Sequence, residues 1–179
     1  MEVTIKRLKT IEGHEGLAFT CEVYCDGKKI GLAHDDGNGG EVDFQLHPYT
    51  DANRKLVEQL EAELATRPKV DINIDKLFDG KPMMVQPDLQ WAINSAVDTE
   101  LRKKDAEKME RKKKQGILYG KNLSYCNLAY WNNMTLESMR LMPRGTDTVQ
   151  AKINYIKDHL NAGETILNAE YLKSLGWKV

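Results

Sequence analysis

Three groups of residues in this chain have types and spacings that bear on chemistry. The first is the stretch Asp35-Asp36-Gly37-Asn38-Gly39-Gly40, with His34 just before it. Glycines in such a loop let backbone amides approach a phosphate, and the acids could hold a divalent cation. His34, Asp36, Asn38, Gly39 and Gly40 are therefore the candidates for a nucleotide or small-ligand site. Two carboxylates at the mouth would repel an anion, however, and neither a Gly-x-Gly-x-x-Gly nor a Gly-Lys-Ser/Thr pattern is present. A calcium loop starting at Asp36 would put Glu41 where a glycine is needed and His47 where an acid is needed. A plain connection between strands is the simpler expectation.

The second group is the basic run Arg102, Lys103, Lys104, Lys108, Arg111, Lys112, Lys113 and Lys114. On a helix these cations could neutralise several phosphates or meet an acidic protein surface. Glu100→Lys104, Glu107→Arg111 and Glu110→Lys114 are also spaced i, i+4 in the favourable order, which describes a self-neutralised, solvated helix. The third group is the aromatic set Tyr119, Tyr125, Tyr130 and Trp131 just beyond that run. Aromatics beside cations suit base stacking, and equally suit a small core or an interface anchor.

No further chemistry is spelled out. His14, His34, His47 and His159 are dispersed, and no His-x-x-x-His or Cys-x-x-Cys spacing points to zinc. No serine sits in a nucleophile-elbow pattern. Neither a metal nor a cofactor is expected. Cys21 and Cys25 lie on one strand about 13 Å apart at ~3.3 Å per residue, too far for a disulfide. With Cys126 they are expected as reduced thiols.

A hydrophobic content of 41% in 179 residues supports a core, and 30% charged residues support a solvated surface. No apolar run approaches the roughly 20 residues of a membrane span, and no apolar segment follows the N-terminal charges as in a secretory signal. Cytoplasm is the expected compartment. The net charge of −1 hides an asymmetry: residues 1–97 carry a net −6 and residues 98–179 a net +5. Such a split marks a partner surface, or two halves that face each other.

The elements that would position these groups follow from periodicity. Val3 and Ile5 open a first strand. Leu17, Phe19, Cys21, Val23 and Cys25 alternate on a second, Asp26-Gly27 supplies a two-residue turn, and Ile30 and Leu32 share a face on the return strand. Val42, Phe44 and Leu46 make a fourth. Thr50 or Asp51 caps a helix with the stripe Ala52, Leu56, Leu60 and Leu64, ended by Arg67-Pro68. Val70, Ile72 and Ile74 form a short strand, and Asp79-Gly80-Lys81-Pro82 a turn. A helix from Asp88 carries Leu89, Ala92, Ile93, Ala96, Val97 and Leu101, then turns almost wholly charged up to Gly116. Two runs, Ile117 to Tyr119 and Leu123 to Trp131, form a second hairpin. Thr135 caps a helix stopped by Pro143. Thr146 or Asp147 opens another, with Val149, Ile153, Ile156 and Leu160 inward and Gly163 at its C′ position. Asn168 caps a last helix closed by Gly176.

The N-terminal pattern Val23-Tyr24-Cys25-Asp26-Gly27-Lys28-Lys29-Ile30-Gly31, followed by Asp36-Gly37-Asn38-Gly39-Gly40-Glu41, resembles that of small accessory proteins encoded by tailed phages and prophages. The resemblance covers about the first 45 residues and brings no catalytic residue. It implies a cytoplasmic accessory protein acting on a host or defence component.

The expected fold is α+β: an antiparallel sheet with a covering helix over 1–85, a connector helix over 86–116, and a smaller, mainly helical lobe over 117–179. The expected function is non-enzymatic binding of a host or defence protein, through Arg102, Lys103, Lys108, Arg111, Lys112, Lys113, Lys114, Tyr119, Tyr125 and Trp131. The same surface could take nucleic acid.

Overall fold

A computed structural model of the chain describes residues 1–72 and 81–179. Ile74 of the short strand, and Asp79 and Gly80 of the turn expected at 79–82, lie outside the described residues. The fold is α+β. Two compact units, Met1–Arg102 and Lys103–Val179, divide inside one long helix. The charge follows this division: residues 1–102 carry a net −7 and residues 103–179 a net +6.

In the first unit, β1 (Val3–Glu12), β2 (Leu17–Cys25), β3 (Lys28–Asp35) and β4 (Asp43–Leu46) form an antiparallel meander in sequence order. The β2–β3 turn holds Asp26 at φ 47° and Gly27 at φ 79°, the left-handed pair that twists a hairpin correctly. One face of the sheet is apolar. Ile5, Phe19, Cys21, Val23, Cys25, Ile30 and Ala33 pack there with Leu60 and Leu64 of helix α1 (Asp51–Thr66) and with Leu89, Ala92, Ile93 and Val97 of helix α2 (Leu89–Gln115).

Two β-bulges decide which residues face outward. Between β1 and β2 the register shifts between Lys6 and Lys9, and Arg7 there adopts φ 55°. Between β2 and β3, Val23 pairs with Gly31 but Tyr24 pairs with Lys29, so Ile30 is the extra residue. A bulge reverses the inside–outside alternation beyond it. Ile30 is therefore fully buried while Leu32, expected on the same face, is 39% exposed on the outer face; Ala33 takes the inward position.

Thr50 caps α1 by accepting a hydrogen bond from the Asn53 amide at 3.2 Å. Leu60 and Leu64 of the stripe are buried, but Ala52 is exposed. Asn53 enters the core in its place, its side-chain amide donating to the carbonyls of Lys29 and Pro48, both at 3.1 Å. A polar side chain is tolerated inside because it ties the helix start to β3 and to the loop before α1. Short strands β5 (Val70–Asp71) and β6 (Met84–Val85) then pair. The Asp88 carboxylate caps α2, accepting from the Trp91 amide at 2.7 Å.

In the second unit, β7 (Gly116–Gly120) follows α2 directly and pairs with β8 (Cys126–Tyr130), the expected hairpin. A third strand, β9 (Thr165–Ile166), pairs with the other side of β7. Helices α3 (Leu136–Leu141), α4 (Gly145–Asp158) and α5 (Ala169–Ser174) supply Leu136, Met139, Val149, Ile153, Ile156 and Leu172 to a core that also holds Ile117 and Trp177. Thr135 and Ser138 cap α3 reciprocally.

Three expectations about these helix ends are corrected. Helix α4 starts at Gly145, not at a Thr146 or Asp147 cap: the chain turns tightly against α3 at Met142–Gly145, where a Cβ on Gly145 would lie 1.8 Å from the Met139 carbonyl oxygen. The helix ends at Asp158 rather than near Gly163, with the His159 ring stacked on Tyr155 and its Nδ1 2.8 Å from the Tyr155 carbonyl oxygen. Asn168 precedes α5 but makes no side-chain cap there, because its side chain is engaged elsewhere.

Candidate functional site

The second half of α2 is almost wholly exposed among the described residues. Arg102, Lys103, Lys104, Lys108, Arg111 and Lys114 are exposed, while Lys112 and Lys113 are half-buried. Helical geometry sorts them. Lys104, Lys108, Arg111 and Lys112 occupy positions i, i+4, i+7 and i+8, so they share one face over about 12 Å of helix. Glu110 falls on the far side, whereas Glu100 and Glu107, i, i+4 before Lys104 and Arg111, and Asp105 flank the cationic sector. Arg102 belongs to the first compact unit; Lys103 and Lys114 share the acidic side.

The expected self-neutralisation is incomplete. Glu107 and Arg111 form no ion pair among the described residues, and Glu110 pairs with Lys113, three residues on, instead of Lys114.

What holds this helix end in place is Asn168, at 3% exposure the main polar group of the second core. Its side-chain nitrogen donates to the Lys113 carbonyl at 2.9 Å and to the Gly116 carbonyl at 2.8 Å. Its oxygen accepts from the Leu118 amide at 3.0 Å. One side chain thus satisfies the end of α2 and the inner edge of β7, groups that would otherwise be orphaned at a helix C-terminus. Gly116 makes the direct passage from helix to strand possible: a Cβ there would sit 2.1 Å from the Ala129 carbonyl oxygen.

The aromatic set divides. Tyr119 and Trp131 are half-buried and pack against the second core. Tyr125 is 76% exposed but sits at the far end of the hairpin, where its amide bonds to Asn122. Tyr130, 62% exposed, pairs with Gly116 and so lies beside the last turn of α2. Of the exposed aromatics, Tyr130 is therefore the one paired in register at the end of α2. The hairpin register was the signal that could have chosen it from the four.

The glycine-rich loop is closed on itself. Asp35 accepts from the Gly37 amide at 2.7 Å, and Asp36 accepts from the Asn38 amide at 3.0 Å and its side-chain nitrogen at 3.1 Å. These bonds hold the Asp36 carboxyl below its ordinary value. Gly37 accepts from the Glu15 amide at 2.8 Å, and a Cβ on Gly39 would meet the Glu15 carboxylate at 2.6 Å. The Gly37 and Asn38 amides that could have cradled a phosphate are spent within the loop. His34 lies on the outer face of the sheet, beside Thr20 and Asp43, within electrostatic reach of the Asp36 carboxylate.

On that outer face Glu22 collects Lys29 at 2.8 Å, Arg7 at 3.0 Å and the Tyr24 hydroxyl at 3.0 Å. The Lys29 bond, with help from Tyr24 and Arg7, holds the Glu22 carboxyl below its usual range. Burial pushes the Cys21 thiol up to about 11 and raises that of Cys25. All three cysteines are free, with Cys126 the more exposed. Among the described residues no cluster of three or more His, Cys, Asp or Glu could hold a metal ion, and no helix is long and apolar enough to cross a membrane. No family model, no curated protein and no solved structure matches this chain.

Proposed function

We propose that this is a non-enzymatic binding protein whose partner face is the basic stripe Lys104, Lys108, Arg111 and Lys112, with Tyr130 beside its end. The stripe carries the reading: Lys104, Lys108, Arg111 and Lys112 fall within about 100° of one exposed helix, flanked by Glu100, Asp105 and Glu107. A helix anchored at its end by Asn168 presents these charges with little ordering left to do on binding. The partner is an acidic surface of another protein. In line with the N-terminal resemblance to phage accessory proteins, we place that partner among host or defence proteins of a bacterial cytoplasm.

Nucleic acid is the second reading, favoured by the exposed Tyr130 ring at the end of a cationic track. Four phosphate contacts would make affinity fall by roughly 50- to 150-fold between 50 and 200 mM salt. The test is capture from bacterial lysate by the wild-type chain and by a Lys108→Glu, Arg111→Glu, Lys112→Glu variant, each with and without nuclease. A discrete protein retained through nuclease and lost with the variant supports the first reading. Capture abolished by nuclease moves the assignment to nucleic acid. Equal capture by both chains rejects the stripe.

A further inference from the structure

A second site, independent of α2, lies on the outer face of the four-stranded sheet. Sheet faces exposed to water are usually flat or convex, but here a cavity of about 400 Å³ opens over it, lined by residues from all four strands. Its volume sits toward the lower end of the ~300–1,000 Å³ range of small-molecule sites. The two bulges that flank β2 shape it. One holds Arg7 in the left-handed region, a conformation unfavourable for an arginine, and the other turns Leu32 and His34 outward.

Two rows cross the sheet in register. Lys9 pairs with Thr20, Thr20 with His34, and His34 with Asp43; Lys6 pairs with Glu22, Glu22 with Leu32, and Leu32 with Gln45. The face is polarised. Lys6, Arg7, Lys9 and Lys29 stand on the β1 side and at the β2–β3 turn against one carboxylate, Glu22, which already binds Arg7 and Lys29. Asp43 and Gln45 stand at the β4 side, with Gln45 donating to Asp43 at 3.1 Å. Leu32 forms an apolar floor between. The distance from β1 to β4 is three strand spacings, about 14 Å.

Thr20, His34 and Asp43 put a hydroxyl, an imidazole and a carboxylate on adjacent strands, but no hydrogen bond joins Thr20 to His34 or His34 to Asp43 among the described residues. The arrangement is therefore read for binding. An anion is attracted at one end, a flat or apolar body fits over Leu32 and His34, and a group with donors and acceptors meets Asp43 and Gln45 at the other. We propose that this groove binds a nucleoside 5′-monophosphate, with the phosphate at Lys9 and Arg7, the base over Leu32, and the base edge at Asp43 and Gln45. One phosphate matches the surplus cations and one base the length of the groove.

The test is calorimetric titration of the whole chain with adenosine, guanosine, cytidine and uridine 5′-monophosphates, and with adenosine and inorganic phosphate separately. Saturable binding of at least one monophosphate is expected, with the matching nucleoside and phosphate alone weaker by about tenfold or more. Lys9→Glu and Leu32→Asp, both at exposed positions, are expected to weaken it by a similar factor with melting temperatures preserved, and Lys157→Glu, at an exposed position of α4, is expected to leave it unchanged. No binding of any of the four monophosphates overturns the proposal. So does binding of phosphate alone with equal strength, or binding that survives both Lys9→Glu and Leu32→Asp.

Discussion

Replacing Asn168 by aspartate separates two roles that the same position could play. If Asn168 served as the N-cap of α5, aspartate would do as well, since the two are near-equal N-caps. In the structure its side chain instead donates to the Lys113 and Gly116 carbonyls and accepts from the Leu118 amide. Aspartate keeps the acceptor but loses both donors, and sets a carboxylate oxygen against two carbonyl oxygens in a site only 3% exposed. Alanine loses all three bonds and leaves the amide and both carbonyls without this partner. At about 1 kcal/mol for each bond, alanine should destabilise the second unit by about 3 kcal/mol, and aspartate by at least as much. In a unit of this size that lowers the melting temperature by about 12–24 °C. Urea unfolding read by far-ultraviolet circular dichroism measures it, with hydrogen exchange at the Leu118 amide as a local check. An Asn168→Asp chain as stable as wild type would refute the latch.

Further expectations follow from the two cores and the outer sheet face. Leu60 is fully buried, so Leu60→Ala should cost the first unit about 2–5 kcal/mol, seen as an early urea transition; a loss below about 1 kcal/mol would contradict the packing. With a thiol-reactive dye at pH 8, Cys126 should label first, while Cys21 and Cys25 wait for unfolding because burial raises both thiols and covers them; equal rates at all three would contradict this. The Glu22 carboxyl has a folded-state value below its ordinary 4.5. Its contribution to stability is therefore complete above pH 4.5 and is lost as pH falls below it. Glu22→Gln should flatten the acid limb of the stability–pH curve relative to wild type, and an unchanged limb would show that Glu22 is not ion-paired in solution.

How much of this was legible in the sequence depended on range. Asp26-Gly27, Thr50, Asp88 and Thr135 act through neighbours three residues away or fewer, and each was readable as a turn or cap. The β2 alternation and the inward residues of α2 were readable for the same reason: one face of a regular element meets one core. Leu32 was misplaced because a bulge adds a residue without any composition signal, and every residue past it changes face. Asn168 looked like a local cap because its partners lie 50 to 55 residues away along the chain. The short strand β9 was missed because two residues carry no periodicity. Of the candidate site, the basic run and the helix that carries it were plain. The choice of Tyr130 over Tyr119, Tyr125 and Trp131 required the hairpin register and the second core.

The claim that the basic face of α2 meets the partner is tested most directly by hydrogen exchange on the captured complex. Slower exchange across residues 103–115 and 126–130 on partner binding, with the first sheet unchanged, is the predicted result. Protection confined to residues outside 103–130, with α2 exchanging as in the free chain, would contradict it.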